Sequence, residues 1–334
     1  MKKKILLFGE PLIRVMPLDV QQIDNQTLSK IYFGGSEVNI ARTLQGFGLD
    51  TEFLTGLPDS NIGERFLAFL KRNSIGTNHI HRIGKRIGIY YLENGFGCRQ
   101  SNVFYDRSHT SISELKAEMI DVDKLFDGIV HFHFSGITIA INEEIRKLLL
   151  LLLDEAKKRN ITISLDLNWR SKMISALEAK KLFSVFAHYA DYCFGIEPIM
   201  INEQDLKLFN RHNARVESIE ERMTTLQKIY QFKAIFHTIR QTDEQGNNLY
   251  SAYGLTNTFQ KSIELKTKVL QRVGSGDAFI AGALYQLIQG ASLQKTLDFA
   301  IASGTLKCTF EEDSMFQSVK AIEALGASSK DIIR

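Results

Sequence analysis

The sequence predicts an α/β protein with a mostly parallel central sheet, helices on both of its faces, and a smaller antiparallel sheet standing apart. Three observations predict it. From residue 121 onward, short apolar runs alternate with amphipathic helical stretches, the signature of repeated βαβ units. The opening run, Lys3 to Phe8, is short and apolar and ends at Gly9-Glu10, as a buried parallel strand delivering a polar residue at its end would. Between His79 and Tyr105 the pattern changes to alternation (Ile87, Ile89, Tyr91) broken by Gly84, Gly95 and Gly97, which reads as hairpins.

Taken in order, the first strand is followed by extended pieces at Leu12–Leu18 and Leu28–Phe33. The double glycine Gly34-Gly35 then breaks the chain, and a helix with Ser36 as N-cap runs to Gly48, with Asn39 in its first turn. Thr51–Gly56 is the next strand and Ile62–Arg72 the next helix. Further strands are expected at Ile129–Phe134, Ile161–Asp166, Tyr192–Gly195 and Ala234–Ile239, separated by helices over about 142–159, 172–188 and 217–230. A hairpin, Leu249–Tyr253 with Thr258–Leu265, precedes closing helices over 277–289, 293–307 and 317–325. The 334 residues show no internal repeat or long linker, and only four prolines.

Composition narrows the function. Charged residues are 24% and apolar ones 44%, ordinary for a soluble globular chain. A net charge of +3 does not make a nucleic-acid footprint. Lys2-Lys3-Lys4 leads into a strand rather than a signal-peptide core, and the longest apolar run, Leu148–Leu153, lies far short of a membrane span. Cys98, Cys193 and Cys308 are scattered and odd in number, consistent with a reduced cytoplasmic protein.

The stretch most demanding of explanation is Gly274-Ser275-Gly276-Asp277 at the head of the apolar run Ala278–Leu287. Glycines can turn backbone N–H groups toward one point, and a helix start adds its positive dipole end, so this is an anion site. Asp277 sits beside it. A carboxylate there either caps the helix or serves as a base next to a transferring phosphoryl group. At the other strand ends lie Glu10, Ser135-Gly136-Ile137, Asp166-Leu167-Asn168-Trp169-Arg170 and Thr238-Ile239-Arg240, where ligands bind in open parallel sheets. Arg170 either grips an anionic ligand or pairs with Asp166. Tyr90, Tyr105 and Arg107 of the hairpin region suit a polyhydroxylated acid, or simple strand packing. His131-Phe132-His133 has metal-ligand spacing but no third ligand, and reads as core. No P-loop, zinc-protease motif or dinucleotide fingerprint is present.

With these pieces placed, the chain resembles the ribokinase-like sugar kinases, the phosphofructokinase-B group. Gly34-Gly35 with Asn39 resembles the family's N-terminal signature, and Gly274-Ser275-Gly276-Asp277-Ala278-Phe279 its C-terminal one. It is most similar to the 2-keto-3-deoxygluconate kinases, through Gly9-Glu10-Pro11-Leu12-Ile13-Arg14, Phe104-Tyr105-Asp106-Arg107, His133-Phe134-Ser135-Gly136-Ile137, Asp166-Leu167-Asn168-Trp169-Arg170 and Arg272-Val273-Gly274. The resemblance covers nearly the whole chain. It implies a single ribokinase-like domain over 1–334, a three-layer α/β/α core with β-lid segments at approximately 12–33 and 79–108, and a homodimer formed through that lid.

The resemblance also implies ATP-dependent phosphorylation of the primary hydroxyl of 2-keto-3-deoxygluconate. Asp277 would be the base, with Gly274, Ser275 and Gly276 holding the phosphoryl group. Gly34, Asn39, Tyr90, Tyr105, Arg107, Ile137 and Arg170 would contact the sugar acid. Thr238 and Arg240 would meet the nucleotide, and Ala302, Lys307 and the turn Glu312-Asp313 would border its adenine. Mg²⁺ accompanies ATP, and either Glu197 or the stretch Asn202-Glu203-Gln204-Asp205 would help organise it. Gln271 stands where the family usually carries an aspartate linked to a monovalent cation, which leaves that cation open. Two pocket arginines favour a carboxylated substrate over a neutral hexose. Alternatives are a fructokinase, a 5-keto-2-deoxygluconate kinase, or a catalytically silent sensor of sugar acid or nucleotide.

Overall fold

The computed structural model describes residues 3–211 and 213–326, so Lys2 of the leading basic run lies outside the described residues. In chain order the elements are β1 (Lys4–Phe8), β2 (Leu12–Pro17), β3 (Ser29–Gly34), α1 (Ser36–Gly46), β4 (Asp50–Leu57), α2 (Asn61–Arg72), β5 (Ile80–Arg82), β6 (Gly88–Glu93) and β7 (Asn102–Asp106). There follow α3 (Val122–Leu125), β8 (Ile129–Ser135), α4 (Gly136–Ile139), α5 (Glu143–Lys158), β9 (Thr162–Asp166), α6 (Ala176–Ala187), β10 (Tyr192–Phe194), α7 (Val216–Tyr230) and β11 (Ala234–Thr242). The chain continues with β12 (Asn248–Leu255), β13 (Phe259–Lys261), β14 (Leu265–Thr267), α8 (Ser275–Ile288), α9 (Leu293–Lys307) and α10 (Val319–Glu323).

The large sheet has the order β13-β12-β11-β10-β9-β8-β1-β4-β5, with β14 paired to β12. From β11 through β5 every pairing is parallel, and the β11–β12 hairpin adds an antiparallel edge. Alternation along β1 explains the layering. Ile5 and Leu7 enter one core with α1, α2, α8 and α9, while Leu6 and Phe8 enter another with α5, α6 and α7. Helices therefore cover both faces, the three-layer arrangement that fully apolar strands require.

Local chemistry sets the helix ends. Asn142 caps α5 by accepting from the Ile145 amide, with Glu143 and Glu144 in its first turn and Lys157 and Lys158 in its last. Ser175 and Glu178 form a capping box at α6, so that helix starts later than the apolar pattern alone suggests. At α1 the expected cap is wrong by one position. Gly35, with φ +120°, is the N-cap, because a Cβ there would lie 2.2 Å from the carbonyl oxygen of Glu10. Ser36 is thereby freed for another partner.

The second sheet has the order β3-β2-β6-β7. Its outer pairings are antiparallel, but β2 and β6 run parallel. The reason is connectivity: the chain reaches β6 only after passing through α1, β4 and α2, a crossover that a tight hairpin turn does not need. The piece Ile80–Arg82, expected among the hairpins, extends the edge of the large sheet beside β4 instead. Across the small sheet one row, Tyr32-Arg14-Tyr90-Tyr105, faces inward; the next, Ile31-Val15-Tyr91-Phe104, faces out.

A buried ion pair ties the small sheet to the turn that follows α9. Arg14, fully enclosed, is ion-paired through Nε with Asp313 Oδ1 at 2.7 Å and donates from Nη2 to the Glu311 carbonyl at 2.7 Å. Tyr90 donates to the other Asp313 oxygen at 2.6 Å. A lone buried charge is costly, so the pair fails as a unit. Arg14→Met is expected to lower unfolding stability by about 3–5 kcal/mol, while adding Asp313→Leu recovers part of the loss. Urea denaturation of the two variants checks this; equal stability of Arg14→Met and the parent protein would contradict it.

Candidate active site

Sequence-distant glycine turns meet at one point. Gly274, in the left-handed region at φ +79°, caps α8, and an added Cβ would fall 1.5 Å from the carbonyl oxygen of Asp313. Only glycine fits. The Ser275 amide turns back to the Arg272 carbonyl at 3.1 Å, leaving the Gly276 and Asp277 amides among the first-turn donors that a helix cannot satisfy itself. Gly276 faces open space, its nearest non-local atom being Nη2 of Arg240 at 4.0 Å from the position of an ideal Cβ. Arg240 is held there by Ser275 Oγ at 2.8 Å and by the ring of Tyr250, whose centroid lies 4.7 Å from the guanidinium carbon. Bare amides, a helix start and an arginine together make an anion cradle.

Asp277 is not the cap of its own helix. Its Oδ1 accepts from Ser36 Oγ at 2.9 Å and its Oδ2 from Asn39 Nδ2 at 2.7 Å, both from the first turn of α1. Asn168 donates to the same Ser36 oxygen at 3.0 Å. Burial pushes the Asp277 carboxyl above its ordinary value, against the pull of those two hydrogen bonds. Neighbouring acids share its environment. Burial, with the charge of Asp277 next in weight, raises Asp166 to about 7. Glu37, buried against Gly9 and accepting from Ser135, is pushed by burial up to about 8 and is therefore neutral near pH 7. One of its oxygens finds no hydrogen-bond partner among the described residues. The sequence did not single out Ser36 as this partner, nor Glu37; both depend on how α1 sits against α8.

These groups open into a cleft of about 920 Å³ beyond the C-terminal ends of β8 to β11, bounded across from them by β2, β6 and β7. Asn39, Tyr90, Tyr105, Arg107, Ile137, Glu197, Thr238, Arg240 and the run Gly274–Asp277 line it, as do Gly35, Asp166 and Arg170. Their states differ. The Tyr90 hydroxyl is spent on Asp313, whereas that of Tyr105 has no hydrogen-bond partner among the described residues. Arg107 is ion-paired with the buried Glu10, which also accepts from Thr110 at 2.8 Å. Arg170 is exposed, with no carboxylate within 4.0 Å among the described residues, so the expected alternative of an ion pair with Asp166 is not formed.

Three expected positions, Gly34, Ala302 and Lys307, do not line the cleft, and Glu197, which does, has its charge already engaged. Gly34 is packed beneath Asp313 and Asn39, and its neighbour Gly35 lines the cleft in its stead. Ala302 belongs to the core between α9 and the large sheet. Lys307 is wholly buried and donates to main-chain carbonyls, far from a bordering role; burial brings it down to about 8. Glu197, expected near the metal, is tied into a buried network with Lys180, Arg222 and Asp205, so its charge is already matched. His131 and His133 meet through Ser164 in the core, at 2.7 Å each, as expected of packed histidines.

Among the described residues no group of three or more His, Cys, Asp or Glu side chains could cage a metal ion. Among the described residues no helix is long and apolar enough to cross a membrane.

Comparison with known proteins gives concordant results. The family described as pfkB family carbohydrate kinase matches residues 2–315. The crystal structure of 2-dehydro-3-deoxygluconokinase from Thermotoga maritima is similar, with a TM-score of 0.89, 34% identity, and 97% of this chain and 99% of that one covered. A 2-dehydro-3-deoxygalactonokinase from Haloferax volcanii is 27% identical over 317 residues, 94% of this chain and 93% of its own length. A 5-dehydro-2-deoxygluconokinase from Geobacillus kaustophilus is 23% identical over 285 residues, 85% of this chain and 80% of its own.

The coupling among buried acids is measurable. Carbon-13 NMR of the carboxyls is expected to show Asp166 titrating near 7 and Glu37 near 8. Asp277→Asn removes a like charge, so both titrations move down in pH. Unchanged titrations in the variant would separate these groups electrostatically and contradict the geometry.

Proposed function

The chain belongs to the pfkB family of carbohydrate kinases, and from that premise we propose that it transfers the γ-phosphoryl group of ATP to the primary hydroxyl of a 2-keto-3-deoxy sugar acid, 2-keto-3-deoxygluconate first. The observation that carries the reading is Asp277, a buried carboxylate with raised basicity held by Ser36 and Asn39 at the edge of the amide cradle.

The chemistry follows from that placement. A carboxylate has about four lone-pair sites, and two are occupied, so Asp277 can still accept a substrate hydroxyl. It takes the hydroxyl proton as the oxygen attacks phosphorus, and the bond from phosphorus to the ADP oxygen breaks. The Gly276 and Asp277 amides and Arg240 stand where charge on the moving phosphoryl group is stabilised. Mg²⁺ enters with ATP and offsets charge on its phosphates. Thr238 borders the nucleotide side; Gly35, Asn39, Tyr105, Arg107 and Ile137 border the sugar side.

The carboxylate of the substrate is met by Arg170. Arg107 is ion-paired with Glu10, whereas Arg170, with no carboxylate within 4.0 Å among the described residues, lines the cleft with its charge felt by Asp166 and Asp277. A bidentate grip on a carboxylate suits it. The relatives named above act on acids of this kind, including one named for a galacto-configured acid and one for a 5-dehydro acid. The 5-dehydro acid is the second reading. An ADP-release assay over keto-deoxy acids of both configurations, the 5-dehydro acid, fructose and other neutral hexoses separates these possibilities. Turnover of a neutral hexose with none of any acid would reject the proposal.

The small sheet forms the lid over this cleft and the face of a homodimer. Its outward row contains Ile31, 65% exposed, and Phe104, 43% exposed, an apolar stripe on a sheet with open edges. Cys98 is exposed and free, and Cys193 and Cys308 are buried and free, which supports a reducing, cytoplasmic setting.

Asp277→Asn is expected to reduce kcat by about 10²–10⁴-fold while leaving ATP affinity within a few fold, and to abolish the acid limb of the pH profile. In the parent protein that limb lies above the ordinary carboxylate range, and activity rises with pH through it because the base works ionised. Arg170→Gln raises KM for the sugar acid about tenfold or more, a charge-assisted hydrogen bond contributing ~1.5–3 kcal/mol. A joint Ile31→Glu, Phe104→Glu variant sediments as a monomer if the outward row is the dimer face; an unchanged sedimentation coefficient would refute it.

A further inference from the structure

One fully buried charge has no part in the chemistry described above. Lys307, at the last position of α9, is 0% exposed. An ammonium is strongly hydrated in water and brings three donors, so burying it is costly unless it is matched. No carboxylate lies within 4.0 Å of it among the described residues. It donates instead to the main-chain carbonyls of Gln271 at 3.2 Å and Phe310 at 3.3 Å. The negative end of α9 and the field of Asp313 add to its stabilisation.

The position of those carbonyls matters. Gln271 lies just ahead of Gly274, and Phe310 just ahead of Asp313, whose own carbonyl presses on Gly274. The same segments are stitched by the Leu270 and Gln271 amides, which both donate to the Cys308 carbonyl at 2.8 and 3.2 Å. Lys307 Nζ is thus a cross-tie between the turn that opens the anion cradle and the turn that backs it. Main-chain carbonyls arrayed around a singly charged ion of this size are also the chemistry that holds potassium. Neighbouring charges leave little call for a second cation: Arg14 is paired with Asp313, and the Gln271 side chain is a neutral amide engaged with Asn94 and the Val273 amide.

We propose that Lys307 is a positioning residue, a built-in monovalent cation that clamps residues 270–274 to residues 307–313, holds the amide cradle in place, and makes turnover independent of any dissociable monovalent ion. The inference rests on phosphoryl transfer at the cradle, and not on which sugar acid is the acceptor.

The test compares the parent protein, Lys307→Ala and Lys307→Met, with tetramethylammonium, potassium or ammonium as the sole monovalent cation. ADP release and thermal melting are read in parallel. The parent is expected to turn over within twofold in all three salts. Lys307→Ala is expected to lose about tenfold or more in kcat in tetramethylammonium, with ATP KM within a few fold, and to regain most of it in potassium or ammonium. Lys307→Met fills the space with an apolar chain, so it loses rate and is not restored. Potassium raises the melting midpoint of the alanine variant and leaves the parent's unchanged. Activation of the parent several-fold by potassium would overturn the proposal. So would wild-type kcat in the alanine variant without potassium, or no response of that variant to potassium in rate and melting alike. An alanine variant that folds only in potassium or ammonium supports it; one that folds in no salt overturns it. If the parent turns over no acceptor, the functional reading fails, and the potassium dependence of melting still decides the role of Lys307.

Discussion

The cleft depends on two helices beginning at the same place. The first turn of α1 supplies Ser36 and Asn39, the first turn of α8 supplies Asp277, and two hydrogen bonds of 2.9 and 2.7 Å join them. Each helix can start there only because a glycine precedes it: Gly35 against the Glu10 carbonyl and Gly274 against the Asp313 carbonyl. The close approach of backbone to backbone is the constraint, and the chemistry is built on its far side. A Cβ at either position would push a helix start away, and with it one half of the site.

Electrostatics in this region follow from the same crowding. Packing α1 against α8 and β9 brings Glu37, Asp166 and Asp277 into one poorly solvated neighbourhood. Carboxyls in that setting cannot all ionise readily, so protons are held more tightly there, and burial leaves the Asp277 carboxylate that faces the cleft more basic than usual. The positive groups are sorted by the same logic. Arg14, Arg107, Lys180 and Arg222 have carboxylate partners, and Lys307 has carbonyls. Arg170 and Arg240 both line the cleft.

The small sheet shows how one layer can have two uses. Its inward row places Arg14 and Tyr90 on Asp313 and leaves Tyr105 toward the cleft. Its outward row is apolar, with Ile31 and Phe104 exposed. Because side chains alternate along every strand, an inward polar row and an outward apolar one arise from the same few residues of β2, β3, β6 and β7.

Much of this was legible in the chain by itself. Apolar runs, glycine breaks and caps such as Asn142 determine the alternating elements, since those signals are local and need no partner. The anion cradle was legible for the same reason: Gly274-Ser275-Gly276-Asp277 before an apolar helix carries its geometry within a few residues. What the tertiary structure decided was which charges are spent. Glu197 stands at a strand end where a metal ligand would, yet Lys180 and Arg222, contributed by α6 and α7, neutralise it. Arg107 and Arg170 look equivalent in sequence, and only the fold gives one of them Glu10. Lys307 is expected from the resemblance to border the adenine, and only the packing of two turns encloses it. Pairing across long sequence separations has no local signature, because the desolvation that drives it exists only once the layers have closed.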